Sequence, residues 1–123
     1  MGPFTVTGVT KPQYIAEGDA ICAEGERELD RAAVQIARAR SDAELARVVE
    51  QTVVPVVQER IDRLRALEPP PGDEAEVAAI YDAGEATIER VEARPELAEN
   101  PEQVLGQTSR LARQYGFRDC AGG

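Results

Sequence analysis

The fold is decided by residues 14–39, which read YIAEGDAICAEGERELDRAAVQIARA. Apolar or small residues recur here at alternating steps of three and four, in the order Ile15, Gly18, Cys22, Gly25, Leu29, Ala32, Ile36 and Ala39. This spacing places them on one stripe of a helix, as in helical bundles. We predict that helix one begins near Lys11-Pro12, because proline is tolerated in a first turn.

A second helix is predicted from the sequence that follows. Ser41 and Glu44 form a capping box, in which each side chain can bond the other residue's backbone N–H. The apolar stripe then continues to about Leu67. Pro55 lies inside this helix and removes one of its hydrogen bonds, so we expect a kink there. The β-branched residues around Pro55 could form a strand instead, but the helical flanks favour the helix.

Three consecutive prolines at residues 69–71 mark the clearest break in the chain. Helix three is predicted from Asp73 to about Arg94, and helix four from Asn100 to Tyr115. Short connections make neighbouring helices antiparallel. The predicted fold class is therefore all-α, an up-down-up-down four-helix bundle with helix two kinked at Pro55.

The predicted domain organisation is simple. Residues 13–123 are expected to form a single four-helix domain, preceded by an extended leader or linker over residues 1–12. A net charge of −9 repels phosphate backbones, so we predict no nucleic-acid partner. No apolar run reaches the length of about 20 residues that a bilayer requires, so no transmembrane segment is predicted in this chain. An anchor upstream of it is compatible with the pattern.

Cys22 and Cys120 are the two cysteines, and they permit one intramolecular pairing. In an up-down-up-down bundle the end of helix four lies beside the start of helix one, so a tail after Gly116 can reach Cys22. We therefore predict a disulfide. The alternatives are a buried thiol at Cys22 with an exposed thiol at Cys120, or a redox pair lacking a Cys-x-x-Cys motif. A structural disulfide would place the protein outside the cytoplasm.

Three stretches carry a resemblance to known proteins. They are residues 14–24 (YIAEGDAICAE), residues 64–70 (LRALEPP) and residues 115–120 (YGFRDC). Together they resemble small exported or lipid-anchored helical proteins of unknown function from actinobacteria. The resemblance implies an extracytoplasmic, secreted or envelope-anchored four-helix domain with one disulfide, and it supplies no activity.

Catalytic chemistry has little support in the sequence. The chain contains no histidine, which removes every triad built on imidazole and every His-ligated metal site. We predict no cofactor and no metal. The best enzyme hypothesis is a small helical enzyme of the chorismate-mutase kind, which clamps a dianion with several inward cations. The arginines of helices two and four share their faces with acids, which disfavours that hypothesis.

Binding hypotheses rest on the aromatic residues Tyr14, Tyr81, Tyr115 and Phe117. Beside the gaps left by Gly18, Gly25 and Gly84, these side chains either line an apolar ligand pocket or plug one end of the bundle. The hypothesis favoured by the sequence is a structural or protein-interaction domain on the cell surface. Its partner would be another extracytoplasmic protein, and the chain would be a monomer or weak dimer.

Overall fold

A computed structural model describes residues 9–122 of the chain. Most of the expected leader over residues 1–12 lies outside the described residues. The described range is all-helical and contains no strand. The all-α prediction is therefore confirmed, and the stretch around Pro55 is helical.

Six α-helices form the fold over the described range. Their bounds are α1 (Lys11–Arg38), α2 (Asp42–Val48), α3 (Val54–Ala66), α4 (Glu74–Ala93), α5 (Pro101–Val104) and α6 (Gly106–Tyr115). Helix α1 begins with a full capping box: the Thr10 hydroxyl accepts the Gln13 N–H at 3.3 Å, and the Gln13 side chain accepts the Thr10 N–H at 3.0 Å. At Ser41 the capping box is half formed. Its hydroxyl accepts the Glu44 N–H at 3.1 Å, whereas the Glu44 carboxylate accepts the N–H of Arg40.

The predicted second helix is divided by a π-helical turn at Val49–Val53. The N–H of Val54 bonds the carbonyl of Val49, five residues back, and Pro55 lies in the first turn of α3. A proline in a first turn has no intrahelical N–H bond to lose. The sequence predicted a kink at Pro55. The structure has a wider, π-helical turn immediately before this proline, after which the hydrogen bonds return to the spacing of an α-helix.

The predicted fourth helix is also divided. The N–H of Leu105 closes the short helix α5 on the carbonyl of Pro101 at 2.9 Å. Helix α6 then starts at Gly106, a residue that disfavours helix interiors. Before α5, the residues Pro95–Glu99 form a 3₁₀ turn.

The long helices pack in sequence order, α1 on α3, α3 on α4 and α4 on α6. Along α1 and α3 the register is antiparallel, because Gly18 lies opposite Leu64 and Gly25 lies opposite Arg60. After α6 the chain turns back, and a 3₁₀ turn at Asp119–Ala121 packs on α1. The buried residues form two clusters, one around Tyr14 and Tyr115, and a smaller one of Leu45, Val49 and Val91.

Over residues 9–122, the helices lack the length and continuous hydrophobicity that crossing a bilayer requires.

Candidate functional site

The predicted disulfide between Cys22 and Cys120 is present. Their Cα atoms lie 5.1 Å apart across a sequence separation of 98 residues, and the described range contains no free cysteine. The alternative of two free thiols is therefore excluded by the structure. The tail is also held by the Asp19 carboxylate, which accepts the backbone N–H groups of Arg118 and Cys120 at 3.1 Å. The sequence gave no signal for this role of Asp19, because its partners are backbone groups roughly 100 residues away.

The aromatic cluster, which we define as Tyr14, Tyr81, Tyr115 and Phe117, lies beside the disulfide, and all four side chains are buried. Ring centroids lie 6.1 Å apart for Tyr14 and Tyr115, 6.0 Å for Tyr14 and Phe117, and 5.4 Å for Tyr115 and Phe117. Such separations are typical of favourable edge and tilted ring pairs. The rings of Tyr14, Tyr115 and Phe117 therefore pack against one another at this end of the molecule.

The three tyrosine hydroxyls of the aromatic cluster all have hydrogen-bond partners. The hydroxyls of Tyr14 and Tyr81 are hydrogen-bonded to each other, and the Tyr115 hydroxyl donates to the Asp73 carboxylate at 2.7 Å. Burial raises the pKa of all three tyrosines, and the hydrogen bond to Asp73 raises the pKa of Tyr115 further. The ammonium of Lys11 lies 4.4 Å from the centroid of the Tyr115 ring. The tyrosines therefore remain neutral and structural near pH 7.

A cavity of about 260 Å³ lies between α1, α3, α4 and the α5–α6 segment, and its walls include both disulfide cysteines, Cys22 and Cys120. Its walls are mainly aliphatic and include Leu29, Ile36, Val57, Ile80, Ile88 and Leu105. Tyr81 and Phe117 border this cavity, while Tyr14 and Tyr115 are not part of its walls. The four aromatic residues named by the sequence are thus brought together, and two of them also face the apolar space.

Arg60 contributes a positively charged guanidinium group to the walls of this cavity. Its side chain is 14% exposed, and its Nη1 lies 3.5 Å from the Cys22 carbonyl oxygen and 3.8 Å from Oε2 of Glu26. Burial lowers the pKa of Arg60, and the nearby Glu26 carboxylate partly counters that effect. A guanidinium stays charged even so, because its ordinary pKa exceeds 12.

Thr108 also lines the cavity, but its Oγ1 is buried out of contact with the cavity space and has no hydrogen-bond partner in the part of the chain that the structure describes. Three acids, Glu26, Asp30 and Asp119, also border the cavity, and the first two are exposed. The site is therefore an apolar cavity with one arginine in its walls and an acidic rim.

The sequence analysis placed Arg60 with the other arginines of helix two on a face shared with acids, and its burial corrects that interpretation. A signal was available, because Val53, Val57, Arg60, Leu64 and Leu67 follow steps of four and three, which puts Arg60 on an inward stripe of its helix. Thr108 also lies on an apolar stripe, since it follows Val104 by four residues and precedes Leu111 by three.

The described residues contain no group of three or more His, Cys, Asp or Glu side chains that could hold a metal ion. Comparison with known proteins adds no assignment, since no family model, no curated protein and no solved structure matched this chain.

Proposed function

We propose that this chain is an extracytoplasmic, up-down-up-down four-helix module that binds a small apolar ligand in the cavity between α1, α3, α4 and α5–α6. The observation that carries the proposal is the cavity itself, about 260 Å³ of space with largely aliphatic walls. Ligand pockets combine such walls with a small number of polar groups. Here Arg60 provides such a group.

The size of the cavity sets the size of the ligand. An apolar cavity of about 150 Å³ is enough to hold benzene, and typical ligand pockets begin near 300 Å³. Benzene has six non-hydrogen atoms, so at the same ratio of about 25 Å³ per atom the volume suits roughly ten such atoms. We therefore expect a compact ligand or a short apolar chain.

Two further observations support the architecture and location that we propose. The pieces α2, the π turn and α3 follow one another without a loop, as do α5 and α6, so they can be grouped with α1 and α4 as four segments. The disulfide supports a location outside the cytoplasm, because structural disulfides persist in oxidising compartments.

An interaction domain is a weaker candidate. Val34 is the one large apolar side chain that is exposed within residues 9–122. Single exposed apolar residues are normal on protein surfaces, whereas partner sites show contiguous patches.

Isothermal titration calorimetry with octan-1-ol tests the proposal. We expect the oxidised protein to bind this probe at one site. Val57→Phe should abolish binding, because its larger ring occupies the cavity, whereas the matched control Val56→Phe alters a half-buried neighbour outside the cavity walls and should retain it. Circular dichroism checks that both variants are folded. Absence of binding to the wild type, or equal binding by both variants, would overturn the proposal.

A further inference from the structure

We propose that the ligand is an anionic amphiphile with a single carboxylate, which pairs with Arg60 while the apolar chain occupies the cavity. This inference rests on the proposed function, since it names the class of ligand for the same cavity.

The geometry of Arg60 provides the first argument. Both of its polar contacts use the same nitrogen, Nη1, and at 3.5 and 3.8 Å both exceed the usual hydrogen-bond range of about 2.7–3.2 Å. Among the described residues, Nε and Nη2 of Arg60 make no hydrogen bond. These two nitrogens form the edge of the guanidinium that binds a carboxylate through two parallel hydrogen bonds. Arg60 therefore presents a vacant bidentate edge.

Comparison with its neighbours on α3 shows that this edge is unusual. Arg63 binds both carboxylate oxygens of Glu24, at 3.2 and 3.4 Å. Arg65 binds Asp82 at 2.9 Å and uses both Nε and Nη2 on Glu85, at 3.2 and 3.1 Å. The two outward arginines are thus well paired, while the more deeply buried Arg60 is the poorly paired one.

Burial makes this difference energetically significant. A buried cation loses its hydration, and one long ion pair to a half-exposed Glu26 does not replace it. A carboxylate bound at the vacant edge would supply the missing counter-charge in a site of low dielectric, where ion pairs are strongest. The chain attached to that carboxylate would bury its apolar surface against the cavity walls.

The acidic rim restricts the charge of the ligand. Glu26, Asp30 and Asp119 border the same cavity, so a dianion such as a phosphate monoester meets three carboxylates and one guanidinium. A single carboxylate keeps the attraction to Arg60 and suffers less repulsion. A cationic amphiphile, held at the rim instead, is the opposite outcome of the experiment below.

Three probes with the same chain length and different head groups separate these outcomes. Octanoate, octan-1-ol and octylamine are titrated into the oxidised protein near neutral pH, where octanoate is ionised. We expect octanoate to bind about tenfold more tightly than octan-1-ol, a factor appropriate to a hydrogen-bonded charge pair, and octylamine to bind most weakly. This comparison needs no variant and is therefore independent of any effect of mutation on folding.

Variants assign the effect to Arg60. Arg60→Met should reduce octanoate affinity to that of octan-1-ol or below, with octan-1-ol affinity little changed, and Arg60→Lys should restore part of it. The control Arg63→Met removes an arginine from the same helix that faces Glu24, and should leave the order of affinities unchanged.

Each outcome has a defined meaning. If octan-1-ol binds and octanoate is no tighter, or if octylamine is the tightest probe, the carboxylate inference is wrong and the apolar cavity remains a ligand site. If Arg60→Met retains the preference for octanoate, the inference is also wrong. If none of the three probes binds, both the inference and the proposed function are overturned.

Discussion

Two regions of this bundle, which meet at the disulfide, are packed in different ways. On one side, the rings of Tyr14, Tyr115 and Phe117 contact one another, and the tail is tied to α1 by Cys22–Cys120 and by Asp19. On the other side, a cavity of about 260 Å³, whose walls include both disulfide cysteines, separates α1, α3, α4 and the α5–α6 segment. The contrast shows that a regular stripe of apolar residues brings helices together without ensuring that the space between them is filled.

Side-chain volume explains the difference. The chain has five aromatic residues, and the four within the described range all lie in the cluster near the disulfide. Tyr81 and Phe117 border the cavity on one side, but its walls also include Ala33, Gly84, Ala98 and Ser109, whose side chains are too small to fill the space between helix axes roughly 8–10 Å apart. The first region is closely packed, and the second leaves the space in which we propose that a ligand binds.

Removing the disulfide should cause the largest loss of stability. Crosslinking residues 98 positions apart stabilises a fold by about 4 kcal/mol in the chain-entropy model. We expect urea unfolding of the Cys22→Ala/Cys120→Ala variant to show a loss of that size. The reduced wild-type protein is the control, because it lacks the crosslink and keeps both sulfur atoms. An unchanged unfolding free energy in both samples would show that the disulfide does not hold this end.

Alkaline pH should destabilise the aromatic cluster next. Burial raises the pKa of Tyr14, Tyr81 and Tyr115 above their ordinary value of 10.0. The folded state therefore holds these protons more tightly than the unfolded state, so their stabilising effect is complete below about pH 10 and declines as the pH rises toward the folded values. Urea midpoints measured from about pH 8 to about pH 11 should fall above pH 10, and the fall should be shallower in Tyr115→Phe. Midpoints independent of pH would contradict the burial of these hydroxyls.

Two glycines on the same stripe of α1 should respond with opposite signs. A Cβ at Gly18 would lie 2.6 Å from Cε1 of Phe117, a ring held in place by the cluster, so Gly18→Ala should cost about 1–2 kcal/mol. At Gly25 the nearest atom is Cδ of Arg60 at 3.5 Å, an ordinary contact, so Gly25→Ala should stabilise the helix by up to about 1 kcal/mol. Chemical denaturation measures both. Equal effects of the same sign would mean that the surroundings of Gly18 and Gly25 are packed alike.

The smallest effect is expected within the cavity. Thr108→Val removes a buried hydroxyl that has no partner in the described structure and keeps the shape of the side chain, so it should stabilise the empty protein by about 1 kcal/mol. Thr87→Val is the matched control. The Thr87 hydroxyl donates to the Ala83 carbonyl at 3.0 Å, so the Thr87→Val variant should be less stable than the wild type by a similar amount. Thermal melts distinguish the two, and a less stable Thr108→Val would indicate that its hydroxyl is already satisfied.

The sequence was a good guide wherever a local pattern determined the structure. The stripe along α1, the cap at Ser41 and the cysteine pair each have a local or pairwise rule, and each is present in the structure. The π turn before Pro55 and the break at Leu105 depend on which carbonyl within one turn accepts a given backbone N–H. Residue propensities do not predict that choice. The cavity depends on side-chain volumes from four segments at once, so only the three-dimensional arrangement reveals it.

The most direct test of this account is to locate a bound apolar probe by nuclear magnetic resonance. Backbone amide signals of the oxidised protein are followed during titration with octan-1-ol. We expect saturable shifts at the cavity-lining residues Leu29, Val57 and Thr108, with little change at Tyr14 and Tyr115, which are buried and are not part of the cavity walls. Shifts centred on Tyr14 and Tyr115, or no saturable shifts at all, would contradict the claim that the ligand occupies the aliphatic cavity.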